Sequence, residues 1–196
     1  MKDFECFKQK AYSFYPKNIS AIKNQTQYLN SEENKRLDNV FQNPDLTLLR
    51  KVDELKDFFK SSCKKNIYDF TIQSWQDRAY NIQFILNKKE NKTFILCVNI
   101  SMLIPFYLCY IIEVEFDSIK NKLKCSPKIN LELEKSIFNN DLTKSKLFIE
   151  NILKYKEIRF EVLDSKITDL SFQDIELGDF TLFNAFFLNN IYTQIF

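Results

Sequence analysis

Hydrophobic positions follow a helical spacing in the first third of the chain. Ser31 precedes two glutamates, and a hydroxyl followed by acids is typical of a helix start, because it accepts bonds from free backbone amides and the acids favour the helix dipole. The pair Asn43-Pro44 predicts a second start, with Asn43 as the N-cap and Pro44 as the first helical residue. These signals predict helices from Ser31 and over about 45–62. Their predicted buried faces carry Leu37, Val40 and Phe41, then Leu48, Val52, Leu55 and Phe59.

The spacing changes to a period of two after residue 66. Apolar and polar side chains alternate through 68–72 and again through 80–86, and two further apolar runs follow at 93–101 and 106–117. Alternation is typical of half-buried strands, whereas continuous apolar runs are typical of strands buried on both faces. The pattern predicts a four-stranded antiparallel meander over about 67–117.

The remaining segments complete an α+β protein. Residues 1–30, rich in aromatic side chains, are expected to form an extended segment packed onto the core. Asp141 or Thr143 predicts the cap of one further helix over about 142–156, followed by alternation at 158–163 and an acidic loop. The apolar stretch 180–196 is expected to enter the core. Neither a linker nor a repeat interrupts the sequence, so we predict a single domain, 1–196, with N-terminal helices packed on a central antiparallel sheet.

One apolar run is long enough to raise a different possibility. Residues 94–112 form 19 consecutive positions without a charged side chain, which is the length of a transmembrane helix. Pro105 interrupts the run, and the period of two continues past its end through Val114 and Phe116, as in a strand. We therefore expect two buried strands joined near 102–105, with a membrane span as the alternative.

Composition excludes the common catalytic templates. The chain has 196 residues, no histidine, five cysteines and Gly178 as its single glycine. Without histidine there is no Ser-His-Asp or Cys-His pair and no imidazole ligand for a metal. With one glycine there is no phosphate-cradling loop, and the widely spaced cysteines form no CxxC motif. A net charge of +2 is too small for a nucleic-acid-binding tract. The sequence therefore predicts no cofactor, no metal and no nucleic-acid partner.

Two sets of side chains are candidates for catalysis. Glu113, Glu115 and Asp117 lie on one side of a predicted strand, where spaced carboxylates can serve glycoside hydrolysis or bind a divalent cation. The ordinary polar face of a strand explains them more simply. Cys97 and Cys109 are candidate nucleophiles, but no histidine is present to activate either thiol. We therefore interpret both sets as structural and predict no catalytic residue.

The acidic stretch 157–179 is the strongest anomaly in the sequence. It holds seven acidic side chains against Arg159 and Lys166, with apolar side chains between them. Carboxylates around exposed apolar anchors suit the capture of a basic protein, through electrostatic steering and a hydrophobic contact. An acidic loop whose apolar residues face inward is the alternative. The predicted partner-binding residues are Glu161, Asp164, Asp169, Asp174, Glu176 and Asp179, with Phe172 or Trp75 as the anchor.

Three stretches resemble a group of uncharacterised bacterial proteins. They are YPKNI at 15–19 with SEENKRL at 31–37, NISMLIPFY at 99–107, and GDFTLFNAFF at 178–187. The last is similar to the closing G-E-x-T-I-F-x-x-L-F motif of that group. Such proteins resemble the immunity members of polymorphic-toxin clusters, which neutralise a cognate effector by binding it. The resemblance implies a cytosolic protein without a cofactor, and it brings no active site to this chain.

The sequence thus predicts a cytoplasmic immunity-type protein that binds a basic toxin or effector stoichiometrically, as a monomer or homodimer. The N-terminus shows no apolar leader, which favours the cytoplasm. The alternative function is a structural or assembly subunit of a secretion or phage-like system, which would associate through its apolar C-terminus. An enzyme that uses carboxylates or a cysteine without histidine is a third hypothesis.

Overall fold

Helices precede and follow a central sheet, which places the protein in the α+β class. The computed structural model describes residues 2–63, 67–71, 77–89, 92–117, 122–123, 128–129 and 139–189. The described helices are α1 (Lys2–Ala11), α2 (Gln25–Leu29), α3 (Glu32–Gln42), α4 (Leu46–Phe58), α5 (Asn139–Phe148), α6 (Phe160–Leu163) and α7 (Leu182–Phe186). The described strands are β1 (Ile67–Asp69), β2 (Ala79–Lys89), β3 (Lys92–Ser101), β4 (Phe106–Asp117), β5 (Lys122–Leu123), β6 (Lys128–Ile129) and β7 (Lys156–Glu157). π-Helical turns extend α4 through Phe59–Cys63 and α5 through Ile149–Leu153.

The sheet confirms the predicted meander. Strands β1, β2, β3 and β4 pair antiparallel in sequence order, with Asn81 opposite Asn99 and Asn99 opposite Leu108. Three short strands also pair with β4: β5 and β6 run antiparallel to it, and β7 runs parallel. Residues 94–112, the alternative membrane segment, form most of β3 and β4. Among the described helices, none has the length and apolar character needed to cross a membrane.

Both faces of β3 and β4 are covered, as their continuous apolar runs predict. On β3, Ile95 and Cys97 enter one hydrophobic core, whereas Leu96 and Val98 enter the other. All four side chains are buried. A sheet with two apolar faces needs a packed layer on each side, and the rest of the chain supplies both layers.

The helices α4 and α5 form the layer over one face. Val52 and Phe59 pack towards β2, and the ring centroids of Phe59 and Phe84 lie 4.1 Å apart. Phe58 and Phe148 stack with their centroids 4.8 Å apart, which joins the two helices. The further helix predicted at 142–156 is thus present, but it begins at Asn139, so Asp141 and Thr143 lie inside it rather than at its cap. Its π-helical turn ends where Lys154 adopts a left-handed conformation with φ of 62°.

The two ends of the chain together cover the other face. The Tyr15 hydroxyl donates to the Ala185 carbonyl at 2.8 Å, and the Tyr28 hydroxyl donates to the Ser171 carbonyl at 2.9 Å. Both tyrosines are buried. The predicted entry of the C-terminal stretch into the core is confirmed for Phe180 and for 182–188, which are buried. Residues 190–196 lie outside the described part of the chain.

Two local predictions are wrong. The segment 1–30 was expected to be extended, but it is helical at α1 and α2. In α1, Phe4, Phe7 and Ala11 recur at helical spacing and pack on the core, so burial favours the helix. The alternation at 158–163 does not continue as a strand, because α6 follows β7. Ile158 and Leu163 are both buried, and their odd separation does not fit one face of a strand.

The cap of α4 differs from the sequence prediction by two residues. Asp45, rather than Asn43, is the N-cap, since its Oδ1 accepts from two backbone amides of the first turn at 2.8 and 3.2 Å. Asn43 instead ends α3. The start of α3 is confirmed, because the Ser31 hydroxyl accepts from the backbone amide of Asn34 at 3.1 Å. Each cap satisfies amides that have no partner within the helix.

The variant Asp45→Ala is expected to lower the free energy of unfolding by about 1 kcal/mol, because the first turn of α4 loses its acceptor. Asn43→Ala is the matched control, and it is expected to change that free energy by less than about 0.5 kcal/mol, since the turn stays capped. Urea unfolding followed by circular dichroism measures both. A larger loss for Asn43→Ala would contradict the assignment of the cap to Asp45.

Candidate functional site

The acidic stretch 157–179 folds largely as turns that pack beside the N-terminal segment. Its apolar side chains Ile167, Leu170 and Phe172 are buried. The backbone amide of Asn18 donates to the carbonyl of Asp169 at 2.7 Å, which fixes the two segments side by side. Most apolar residues between the carboxylates therefore face inward, because they complete the core that the chain ends share.

Phe172 is enclosed rather than presented to solvent. It is 2% exposed, with the Arg78 guanidinium carbon 4.7 Å from its ring centroid and the Tyr15 ring edge-on at 5.6 Å. Both neighbours favour this position, since cations and ring edges interact with the face of an aromatic ring. Its burial removes Phe172 as an exposed anchor. Trp75, the other predicted anchor, lies outside the described residues.

Two of the predicted partner-binding carboxylates hold the stretch to the N-terminal segment. Asp169 Oδ2 accepts from the Tyr12 hydroxyl at 2.7 Å. Glu176 accepts from the Ser20 hydroxyl at 3.1 Å and pairs with the Lys23 ammonium at 3.5 Å. Burial and the bond to Asp169 raise the pKa of the Tyr12 hydroxyl, so it remains a donor at neutral pH. Asp169 and Glu176 therefore help to hold the stretch in place, and Glu176 stays partly exposed at the surface.

The other predicted carboxylates are exposed. Glu161, Asp164, Asp174 and Asp179 all lie at the surface. Asp179 pairs with Lys166 at 2.9 Å, and a surface pair of this kind contributes little to stability. Within the described part of the chain, Glu161 and Asp164 make no ion pair. These four carboxylates are available to a charged partner.

Within the acidic stretch Leu177 is 37% exposed, and α2 and the residues before it supply two more exposed apolar side chains beside the stretch. Ile22 is 52% exposed and Leu29 is 53% exposed. A cavity of about 370 Å³ lies between this segment and the turn at 172–175. Its walls include Ile22, Gln25, Tyr28, Leu29, Asn34 and Gln173.

These features form one surface, which we call the cavity surface: the cavity, Ile22, Leu29, and the carboxylates Asp174 and Glu176. The ion pair of Lys23 with Glu176 brings the residue after Ile22 to the acidic stretch. Exposed apolar side chains around a concavity, bordered by polar groups, are typical of binding sites. Sequence reasoning missed Ile22 and Leu29. Ile22 precedes α2 and Leu29 ends it, so no helical periodicity in the sequence marks them as a pair.

A chain of hydrogen bonds from Arg78 fixes one wall of the cavity. The Arg78 Nε donates to the Asn184 carbonyl at 3.0 Å, and its Nη2 donates to Asn189 Oδ1 at 2.7 Å. The Asn189 amide donates in turn to Gln173 Oε1. Gln173 has φ of 51°, a left-handed conformation that is uncommon for glutamine and persists only where its surroundings impose it. Reciprocal backbone bonds between Phe172 and Ile175 close this tight turn and supply that constraint, while the bonds from Arg78 and Asn189 fix the Gln173 side chain.

The candidate catalytic side chains lie elsewhere, on the sheet. Glu113 and Glu115 are half-buried, and Glu113 makes an ion pair across to β3. The Asp117 side chain lies outside the described residues. Cys97 and Cys109 are buried, and burial raises the pKa of the Cys97 thiol, which keeps it protonated. Among described residues, no group of three acidic, cysteine or histidine side chains is placed to hold a metal ion.

The variant Arg78→Met is expected to lower the free energy of unfolding by about 3 kcal/mol or more, because a buried and a half-buried acceptor lose their donor. Arg78→Lys keeps the charge but not the planar fork, so we expect an intermediate loss. Urea unfolding of both variants measures the difference. A loss below about 1 kcal/mol for Arg78→Met would contradict a structural role of the guanidinium.

No family model, no curated protein and no solved structure matches this chain. The resemblance to immunity-type proteins accordingly stays a prediction. The function has to be inferred from the surface that the fold assembles.

Proposed function

We propose that the protein is an immunity-type protein that neutralises a cognate toxin or effector in the cytoplasm by binding it stoichiometrically. The observation that carries the proposal is the cavity surface, where the exposed side chains Ile22 and Leu29 adjoin the carboxylates Asp174 and Glu176. Apolar side chains around a cavity favour contact with another protein. Because the adjoining stretch is acidic, the expected partner is basic.

The acidic stretch is expected to act before the two proteins touch. Its exposed carboxylates at Glu161, Asp164 and Asp174 lower the local potential, although the whole chain carries a charge of +2. Such a field speeds association with a basic surface and weakens as salt is added. The cavity surface would then bury apolar area, which slows dissociation.

Binding alone neutralises a partner whose basic surface is also its working surface. Proteins that act on nucleic acids place lysine and arginine side chains against phosphates. An acidic protein bound to that surface would exclude the substrate by occupying the same place. This mechanism needs no chemical step from the present chain.

The alternative function as an assembly subunit has less support from the described residues. It depends on an apolar C-terminal surface, yet Phe180 and 182–188 are buried. Leu147 and Ile152 are exposed apolar side chains on another part of the molecule. Light scattering separates the two functions, since an assembly subunit would form a larger oligomer alone, whereas the immunity-type protein is expected as a monomer or homodimer.

Affinity capture from the native lysate tests the proposal. The tagged protein is the bait, and the captured protein is identified by mass spectrometry and then purified. We expect a complex of defined ratio by light scattering and loss of the partner's activity once an equivalent amount of this protein is added. A purified partner that stays fully active in the complex would contradict the proposed immunity function.

The double variant Asp164→Lys, Asp174→Lys is expected to slow association with that partner by about tenfold at low salt and to flatten its salt dependence, because steering depends on local charge. The matched control is Glu54→Lys, Asp57→Lys on α4, which changes the net charge equally at exposed positions over the opposite face of the sheet. Stopped-flow kinetics at two salt concentrations measures both. An equal effect of the two variants would contradict binding through the acidic stretch.

A further inference from the structure

We propose that the cavity receives one apolar side chain from the partner protein, carried on a segment whose flanking residues are basic. This inference rests on the proposed function and specifies the contact that the partner makes. At the cavity surface, exposed apolar side chains, a concavity and carboxylates coincide. Each of these features restricts the chemistry of the occupant.

The walls of the cavity favour an apolar occupant. Tyr28 and Phe172 contribute aromatic rings, and both side chains are almost fully buried. Ile22 and Leu29 rise beside them with about half of their surface exposed to water. An apolar side chain placed between these walls would cover that exposed area and gain hydrophobic free energy. Burial raises the pKa of the Tyr28 hydroxyl, so it stays protonated and bonded to the Ser171 carbonyl rather than to an occupant.

The cavity is large enough to accept an apolar side chain, with a volume of about 370 Å³. The amide side chains of Gln25, Asn34 and Gln173 line the cavity as well, and these groups can bond the backbone on either side of an inserted side chain.

The charges around the cavity determine what flanks the inserted side chain. Asp174 follows Gln173 at the rim, and Glu176 is held near by Ser20. On another side, the Asn34 amide donates to Asp38 Oδ2 at 3.0 Å. The Lys23 ammonium offsets the charge of Glu176, so Asp174 at the rim is the carboxylate that favours lysine or arginine next to the inserted residue.

A cation is a poor choice for the inserted side chain itself. The Arg78 guanidinium lies beneath Phe172, 4.7 Å from the ring centroid. A second positive charge entering above that ring would face the buried cation across a medium of low dielectric constant. The basic residues therefore belong outside the cavity, and the apolar residue belongs inside.

The cavity is prepared for its occupant before binding. Gln173 is held in its left-handed conformation by the turn that Phe172 and Ile175 close, and its side chain is bonded by Asn189. A wall that is already ordered loses less conformational entropy when the partner binds. A second copy of this chain fits less well, because a symmetric contact through this surface would bring like carboxylates together.

The probe is the acetylated and amidated peptide Lys-Arg-Leu-Arg-Lys, titrated into ¹⁵N-labelled full-length protein. We expect shifts of the backbone amides of Tyr28, Leu29 and Gln173 at millimolar peptide. Replacing the leucine of the peptide by alanine is expected to weaken binding about tenfold, which corresponds to about 1.4 kcal/mol. Replacing its four basic residues by serine is expected to weaken it as well. No shift of these amides, or equal binding of the leucine and alanine peptides, would overturn the proposal.

The variant Ile22→Ser, Leu29→Ser tests the walls of the cavity. Both positions are about half exposed, so the variant is expected to fold, and it should bind the peptide at least about tenfold more weakly. Leu46→Ser, Leu147→Ser is the matched control, since it removes two exposed leucines elsewhere and should leave peptide binding unchanged. Equal losses in the two variants would overturn the proposal.

The same variants distinguish this inference from the proposed function. If the captured partner binds Ile22→Ser, Leu29→Ser as tightly as the wild type, the inference about the cavity fails while the proposed function stands. If the peptide binds as described but the captured partner is not neutralised, the proposed function fails while the cavity remains a site for an apolar side chain on a basic segment.

Discussion

The buried guanidinium of Arg78 is the interaction on which the rest of the structure depends. Removing such a charge from water costs several kcal/mol, and only well-placed partners offset that cost. Burial lowers the pKa of this group below its ordinary value, yet an arginine stays protonated in a protein. Two of its acceptors, Asn184 and Asn189, lie more than 100 residues further along the chain. The hydrogen bonds of the guanidinium and its acceptors can therefore all form in only one arrangement of three segments: the start of β2, the turn at 172–175 and the segment around α7.

The sequence predicts those parts of the fold in which local chemistry agrees with the final environment. The strands of the meander carry alternating or continuous apolar positions in the sequence itself, whichever segment covers them in the fold. The Ser31 cap of α3 is equally local, because its partner Asn34 lies three positions away. α1 is missed because it is stabilised from a distance: Phe7 packs edge-on against Phe106 with the ring centroids 5.0 Å apart. By residue type, Asn and Asp cap a helix equally well. Whether Asn43 or Asp45 caps α4 therefore depends on the backbone conformation around position 45.

The candidate site is likewise only partly predictable from the sequence. Its charge is visible in the sequence, but charge does not reveal that Asp169 and Glu176 turn towards Tyr12 and Ser20. Phe172 lies among carboxylates in the sequence, whereas its enclosure depends on a cation from another segment. The exposure of side chains such as Leu29 depends on which face of α2 the remaining chain leaves uncovered. A surface built from two distant segments has no local signature, so only the folded structure brings its parts together.

The interlocked ends of the chain determine when the protein can be completed on the ribosome. Tyr15 is synthesised 170 positions before Ala185, the residue whose carbonyl accepts from its hydroxyl. At about 5–20 residues per second, this delay amounts to roughly ten to thirty seconds. During that time the meander can pair with neighbouring strands, but the aromatic side chains of α1 lack the C-terminal layer that buries them. The segment around α1 emerges before its C-terminal partners and is thus among the last parts of the fold to dock, so a chaperone has a long opportunity to act on it.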